Sequence, residues 1–233
     1  MKKEELDVVL DGHLKWLRGE ADGVCANLSG ANLSGADLSK AKLAWADLSK
    51  SDLTGADLWS ANLSEANLSE AKLTRANLSG AKLTRAKLLG VVLSGADLYA
   101  ANLRGVDLTK ADLMKADLTG ANLWSANLTK ANLTEANLWG AKLTKADLTG
   151  ANLTRANLTR ANLTDARLTK ANLTDARLTK ANLTGADLTR ANLWGADLTD
   201  ANLSGANPNG VNLNGVNLTG VSIIFGGRVV EIK

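Results

Sequence analysis

From residue 26 the chain reads ANLSG ANLSG ADLSK AKLAW ADLSK (26–50), and this five-residue frame continues without insertion to Gly220. The frame is centred on Leu28, Leu33, Leu38 and every fifth residue up to Leu218, with Pro208 the one exception. Ala stands two residues before each centre, except at Ser51, Val91, Val106, Val211 and Val216. Asn or Asp usually precedes the Leu and Ser or Thr usually follows it. The fifth position holds mostly Gly, Lys, Arg, Glu, Asp or Ser.

A period of five excludes the common regular structures. On an α-helix, five residues advance the chain by about 500°, so successive Leu lie roughly 140° apart and form no stripe. On a flat strand, side chains alternate with period two, so successive Leu would face opposite sides. A chain that turns a corner at each repeat satisfies the pattern. Leu and the Ala two residues before it share strand parity and stay inside, and four repeats close a square coil. Coils then stack at about 4.8 Å, so the repeats predict a rod roughly 45–50 Å long. No coil buries its Leu ring alone; stacked neighbours do so jointly. Asn, Asp and Ser outside the core favour side-chain-to-backbone bonds that support turns.

This frame resembles the pentapeptide-repeat family, whose consensus is A(D/N)LXX. The resemblance implies an all-β, right-handed quadrilateral β-helix and an interaction scaffold rather than an enzyme. Some members of that family mimic duplex DNA and occupy a type II topoisomerase. That mechanism needs a strongly acidic rod, and here the net charge is +3.

The expected divisions are a capping helix and junction over 1–25, the repeat β-helix over 26–225, and a terminal segment over 226–233. In KEELDVVLDGHLKWLR (3–18), Leu6, Leu10, Leu14 and Leu17, with Val9, recur at helical spacing. Early acids and the late Lys15 and Arg18 suit the helix dipole, and Gly19 suits a stop. This helix is expected to lid the first coil, with Trp16 near its apolar edge and His13 on the surface or in the cap. At the other end, Gly226-Gly227 between two β-rich runs reads as a hairpin turn. The hairpin either covers the last coil or pairs with a second chain to make a homodimer.

Composition narrows the classes further. No stretch of about twenty apolar residues marks a membrane span, and the charged start lacks a signal core. A single cysteine, Cys25, permits no internal disulfide and fits a reducing, cytoplasmic setting. His13 is the lone histidine, so no His-based metal site is expected, and no cofactor or catalytic motif is found.

With four sides, residues twenty apart lie above one another. Call the side holding Leu38 side three and the side holding Leu43 side four. Side three lines up Asp37, Asp57, Asp97 and Asp117 before its Leu, and Trp59, Tyr99 and Trp139 after it. Asp57, Trp59, Asp97, Tyr99, Asp117 and Trp139 are therefore the candidate surface for an unidentified protein partner, because Trp and Tyr are favoured anchors. Side four is opposite in sign, with Lys42, Lys82, Arg85, Arg104, Lys142 and Lys145 against Glu65 and Asp165. It also carries Trp45 and Trp124. No long basic run occurs, so nucleic acid is expected to make only salt-sensitive nonspecific contact.

Overall fold

The computed structural model describes residues 1–225 and 228–232. Parallel bridges join each pre-Leu residue to the one twenty residues on, from Asn27–Asp47 through to Asn202–Ser222. The four-sided coil follows directly from that spacing. Every repeat Leu from Leu28 to Leu198 is buried, and the Ala from Ala46 to Ala201, with Val91 and Val106 in the same register, are buried with them. Ser51 takes one of the Ala positions. Its buried hydroxyl is satisfied by donating to the Leu48 carbonyl at 2.6 Å.

One repeat shows why this sequence holds the coil. The Ala171 N–H donates to the Leu168 carbonyl at 2.9 Å and closes the corner. The Asn172 N–H reaches back to Ala151 at 2.9 Å, and the Leu173 N–H reaches forward to Asn192 at 2.7 Å. The Asp175 N–H also reaches forward, to Trp194 at 2.9 Å. The remaining donor, Thr174 N–H, is taken by the Asn172 side-chain Oδ1 at 3.2 Å. All five backbone donors of the repeat are paired, as a buried wall requires. The Asn/Asp preference is thus a capping requirement. Where Arg167 or Arg177 replaces it, the Thr169 and Thr179 hydroxyls turn to Asp187 and Asp197 of the next coil, both at 2.9 Å.

The fifth residue carries a constraint the repeat letters conceal. It is left-handed throughout the repeats, at φ +67° for Gly30, +58° for Lys130 and +70° for Trp45. Only the second inner residue of each corner has positive φ, as in a type II turn. Gly adopts this without cost; other residues carry about 1–2 kcal/mol each.

Helix α1 spans Lys3–Leu17 and lies against the first coil. Its inward residues are Leu6, Val9, Leu10 and His13, whereas Leu17 is exposed. His13 is fully buried, not on the surface: its Nδ1 accepts the Ala26 N–H at 3.1 Å and its ring stacks on Trp16. The Met1 amino group donates to the Asn32 carbonyl at 2.9 Å, and Val24 N–H donates to Gly12 at 3.0 Å. These bonds occupy groups on the first strand edge, which would otherwise be open for pairing. Gly23 is required here, since a Cβ would collide with the Trp16 backbone.

At the far end, strand β1 (Val221–Phe225) continues the stack on side four through Ser222 and pairs antiparallel with β2 (Arg228–Ile232). The expected turn at Gly226-Gly227 lies outside the described residues. Pro208, which has no N–H to donate, occupies the Leu register on this last coil, where Pro is compatible with a strand edge. Leu213 is 47% exposed. An apolar hollow of about 340 Å³ opens among Leu198, Leu203, Pro208, Val211, Leu213 and Leu218.

Candidate functional site

The bridge series Asp37–Asp57, Asp57–Asn77, Asn77–Asp97, Asp97–Asp117 and Asp117–Asn137 places the expected side-three residues on one wall. Trp59, Tyr99 and Trp139 stand in its post-Leu column, 43%, 55% and 44% exposed. Two coils separate each aromatic from the next, about 10 Å at strand spacing. Ser79 and Thr119 lie between them and are shorter, so the rings project as three separate ridges.

Asp57, Asp97 and Asp117 are half-buried, Asp37 is exposed, and the carboxylates act locally. Asp57 Oδ1 accepts the Trp59 N–H at 2.9 Å and the Asn77 amide at 2.9 Å. Asp97 Oδ1 accepts the Tyr99 N–H at 2.8 Å. Asp117 Oδ1 accepts both the N–H and the hydroxyl of Thr119, at 3.0 and 2.6 Å. Each acid orients the residue two positions on, so the carboxylate and aromatic columns form one built unit. At the top of the wall the Ser39 N–H holds the Asp37 carboxyl below its ordinary range. Lys40 Nζ lies 4.8 Å from the Trp59 ring centroid and covers part of that ring.

A further feature of side three becomes visible only with the coil in place. The corner column beside the aromatics holds Ser60, Gly80, Ala100, Gly120 and Gly140. The same column starts with Lys40, which covers part of the Trp59 ring, and continues into Arg160. Between these two no long side chain stands there, so that stretch of the aromatic row is open along one flank. The column could have been read by stepping twenty residues through the fifth position, but that position looks like an unremarkable solvent corner in one dimension.

On side four, the Arg104 guanidinium lies 4.2 Å from the Trp124 ring centroid. Hollows of about 410 and 610 Å³ flank this pair. Arg85 pairs with Glu65 at 3.7 Å, whereas no ion-pair partner lies near Lys42, Lys82, Arg104, Lys142 or Lys145 among the described residues. Cys25 sits at the cap junction with Sγ 3.6 Å from the Trp45 carbonyl, and burial pushes its thiol up from the ordinary value. No helix among the described residues is long and apolar enough to cross a membrane.

Comparison with known proteins gives a consistent picture. The sequence matches the family described as pentapeptide repeats, in overlapping stretches that run from residue 25 to residue 220. Among solved structures it is similar to HetL, a pentapeptide repeat protein involved in heterocyst differentiation regulation from the cyanobacterium Nostoc sp. strain PCC 7120. The identity is 36% over 93% of this chain and 97% of HetL, with a TM-score of 0.51. It is also similar in fold to a trypsin-treated form of QnrB1, a plasmid-mediated fluoroquinolone resistance protein. There the identity is 20% over 83% of this chain and 91% of that one, with a TM-score of 0.52. No match was found among curated proteins.

Proposed function

The chain belongs to the pentapeptide-repeat family, and from that premise we propose that it is a non-enzymatic scaffold whose side three receives a protein partner. The carrying observation is the row Trp59, Tyr99 and Trp139, exposed at two-coil spacing beside a corner column that carries only short side chains from Ser60 to Gly140. Flat walls suit a protein surface better than a small substrate, which favours a concave site. Trp and Tyr supply large contact areas with few rotatable bonds, which suits them to anchor such a surface. Asp57, Asp97 and Asp117 keep outward carboxylate oxygens beside the rings and add a preference for basic groups on the partner.

In this reading the coil is right-handed, as in the family, and residues 1–25 act as cap and junction for the rod over 26–225. The terminal segment, 226–233, serves as a cap or pairs with a second copy; the exposed Leu213 and the neighbouring hollow favour a covered end. The working compartment is cytoplasmic. The likeness to QnrB1 carries the fold alone, and the cations of side four oppose an acidic, duplex-mimicking rod.

The test compares capture from host lysate by the unaltered protein and by a Trp59→Ala, Tyr99→Ala, Trp139→Ala variant. Both must first give the same thermal midpoint. A partner bound by the former and lost from the latter supports side three; the same captures by both would reject it.

A further inference from the structure

We propose that side four is a second docking wall, built for an acidic protein segment lying along the rod. Lys42, Lys82, Arg85, Arg104, Lys142 and Lys145 share this wall through residue 145 with a single acid, Glu65. Glu65 is already engaged by Arg85. Lys42, Lys82, Arg104 and Lys142 therefore present charge without an ion pair among the described residues from one flat face, and Lys145 stands one coil before Asp165, the next acid of the wall. Other walls carry ion pairs between neighbouring coils, as Lys115 and Arg155 form around Glu135, at 3.8 and 3.2 Å.

The relief of the wall fits carboxylate side chains. Arg104 stacked on Trp124 forms a ridge with a hollow on either side. The first hollow is lined by Arg104, Asn122, Lys142, Thr144 and Asn162, a set of donors around a floor of short side chains. The second is lined by Ser64, Glu65, Thr84, Arg85 and Arg104, with the Glu65 carboxylate paired to Arg85, and opens at Gly105, the corner residue where a longer side chain would fill it. The guanidinium lies over the ring and makes no ion pair among the described residues, which leaves its N–H groups available to a carboxylate, a partner a guanidinium can hold with two parallel bonds. Trp45 marks the same wall four coils nearer the cap, kept in a left-handed backbone at φ +70° that a bulky residue rarely adopts.

Single-stranded nucleic acid fits less well. Base stacking needs free aromatic faces at successive steps. Here Arg104 occupies one face of Trp124, and Trp45 and Trp124 are about 19 Å apart at strand spacing. An acidic peptide needs only the donors and the hollows.

The experiment measures anisotropy of a fluorescent oligo-glutamate peptide against the full chain, with an oligo-thymidylate of equal charge in parallel. An Arg104→Glu, Lys142→Glu variant reverses side four. A Lys110→Glu, Lys130→Glu variant makes the same charge change on side one, so net charge is controlled. All four substituted side chains are exposed, and equal melting curves verify that both variants fold. The expected result at about 50 mM salt is binding of oligo-glutamate that weakens at least tenfold on reversal of side four and less than threefold on reversal of side one. Equal loss in both variants, absence of binding to the parent, or tighter binding of oligo-thymidylate would each overturn the proposal.

Discussion

Asp57 Oδ1 accepts the backbone N–H of Trp59 at 2.9 Å. The same oxygen accepts the Asn77 amide of the next coil at 2.9 Å. One carboxylate thus fixes the corner that carries an exposed ring and also ties two coils together. Binding and folding are coupled at this residue, and substitutions separate them. Asp57→Asn keeps an acceptor and should leave stability nearly unchanged while weakening any basic partner. Asp57→Ala strands two donors and should lower stability by about 1–3 kcal/mol. Denaturant melts of the pair check this; equal loss in both would show that the carboxylate charge, not the acceptor, holds the corner.

His13 makes the cap sensitive to acid. Burial holds its imidazole below the ordinary value of 6.5, with the Ala44 carbonyl partly opposing the shift. The unfolded chain therefore takes up a proton first as pH falls. The contribution of His13 is fully present above about pH 6.5 and is lost as pH drops toward the folded-state value. Protonation also removes the Nδ1 acceptor from Ala26. Hydrogen exchange of the α1 amides should quicken between about pH 7.5 and pH 5.5, after correction for intrinsic rates, and His13→Gln should remove that change.

The left-handed corner predicts that a bulky aromatic there is a burden on the fold. Trp45→Gly should stabilise the chain by about 1 kcal/mol, since Gly relieves the left-handed backbone. Gly23→Ala should do the reverse and cost about 1–3 kcal/mol, because its Cβ meets the Trp16 backbone across the cap junction. Thermal melts of the two variants should shift in opposite directions. A lower midpoint for Trp45→Gly would show that the indole's packing outweighs its backbone strain.

Position along the bore sets the cost of truncating a Leu. Leu123 is fully buried within the stack, and Leu123→Ala should cost about 2–5 kcal/mol. Leu213 occupies the same kind of position in the last coil but is half-exposed, so Leu213→Ala should cost less than about 1 kcal/mol in a monomer. If Leu213→Ala proves as costly as Leu123→Ala and the cost grows with protein concentration, the rod's end is buried against a second chain.

The square coil, the inward Leu and Ala, and the membership of each wall were legible because a period of five over 195 uninterrupted positions leaves no other register. Side three and side four could be written out by counting in steps of twenty. The left-handed fifth residue was not legible, because Lys130, Glu135 and Trp45 share with Gly a conformation that Gly alone would advertise. The helix was foreseen, but its inward face was led by Leu6 and His13 instead of running on through Leu17. A lone histidine carries no pattern, and only the neighbouring Ala26 N–H explains its burial. The carboxylates of side three were read as outward acids. Their turn-forming oxygen could be inferred from the Asx preference, but its sharing with Asn77 of the next coil depends on three-dimensional stacking.

The bridge from each pre-Leu residue to the one twenty positions later has an evolutionary corollary. Loss or gain of twenty residues shortens or lengthens the rod by one layer and leaves every face as it was. Loss or gain of five is equally silent for the core, since Leu still follows Leu, but it turns everything downstream by a quarter revolution. Trp139 would then leave the row of Trp59 and Tyr99 for an adjacent wall. A lineage of such proteins can therefore re-deal its binding faces by slippage of a single repeat, without passing through an unfolded intermediate sequence.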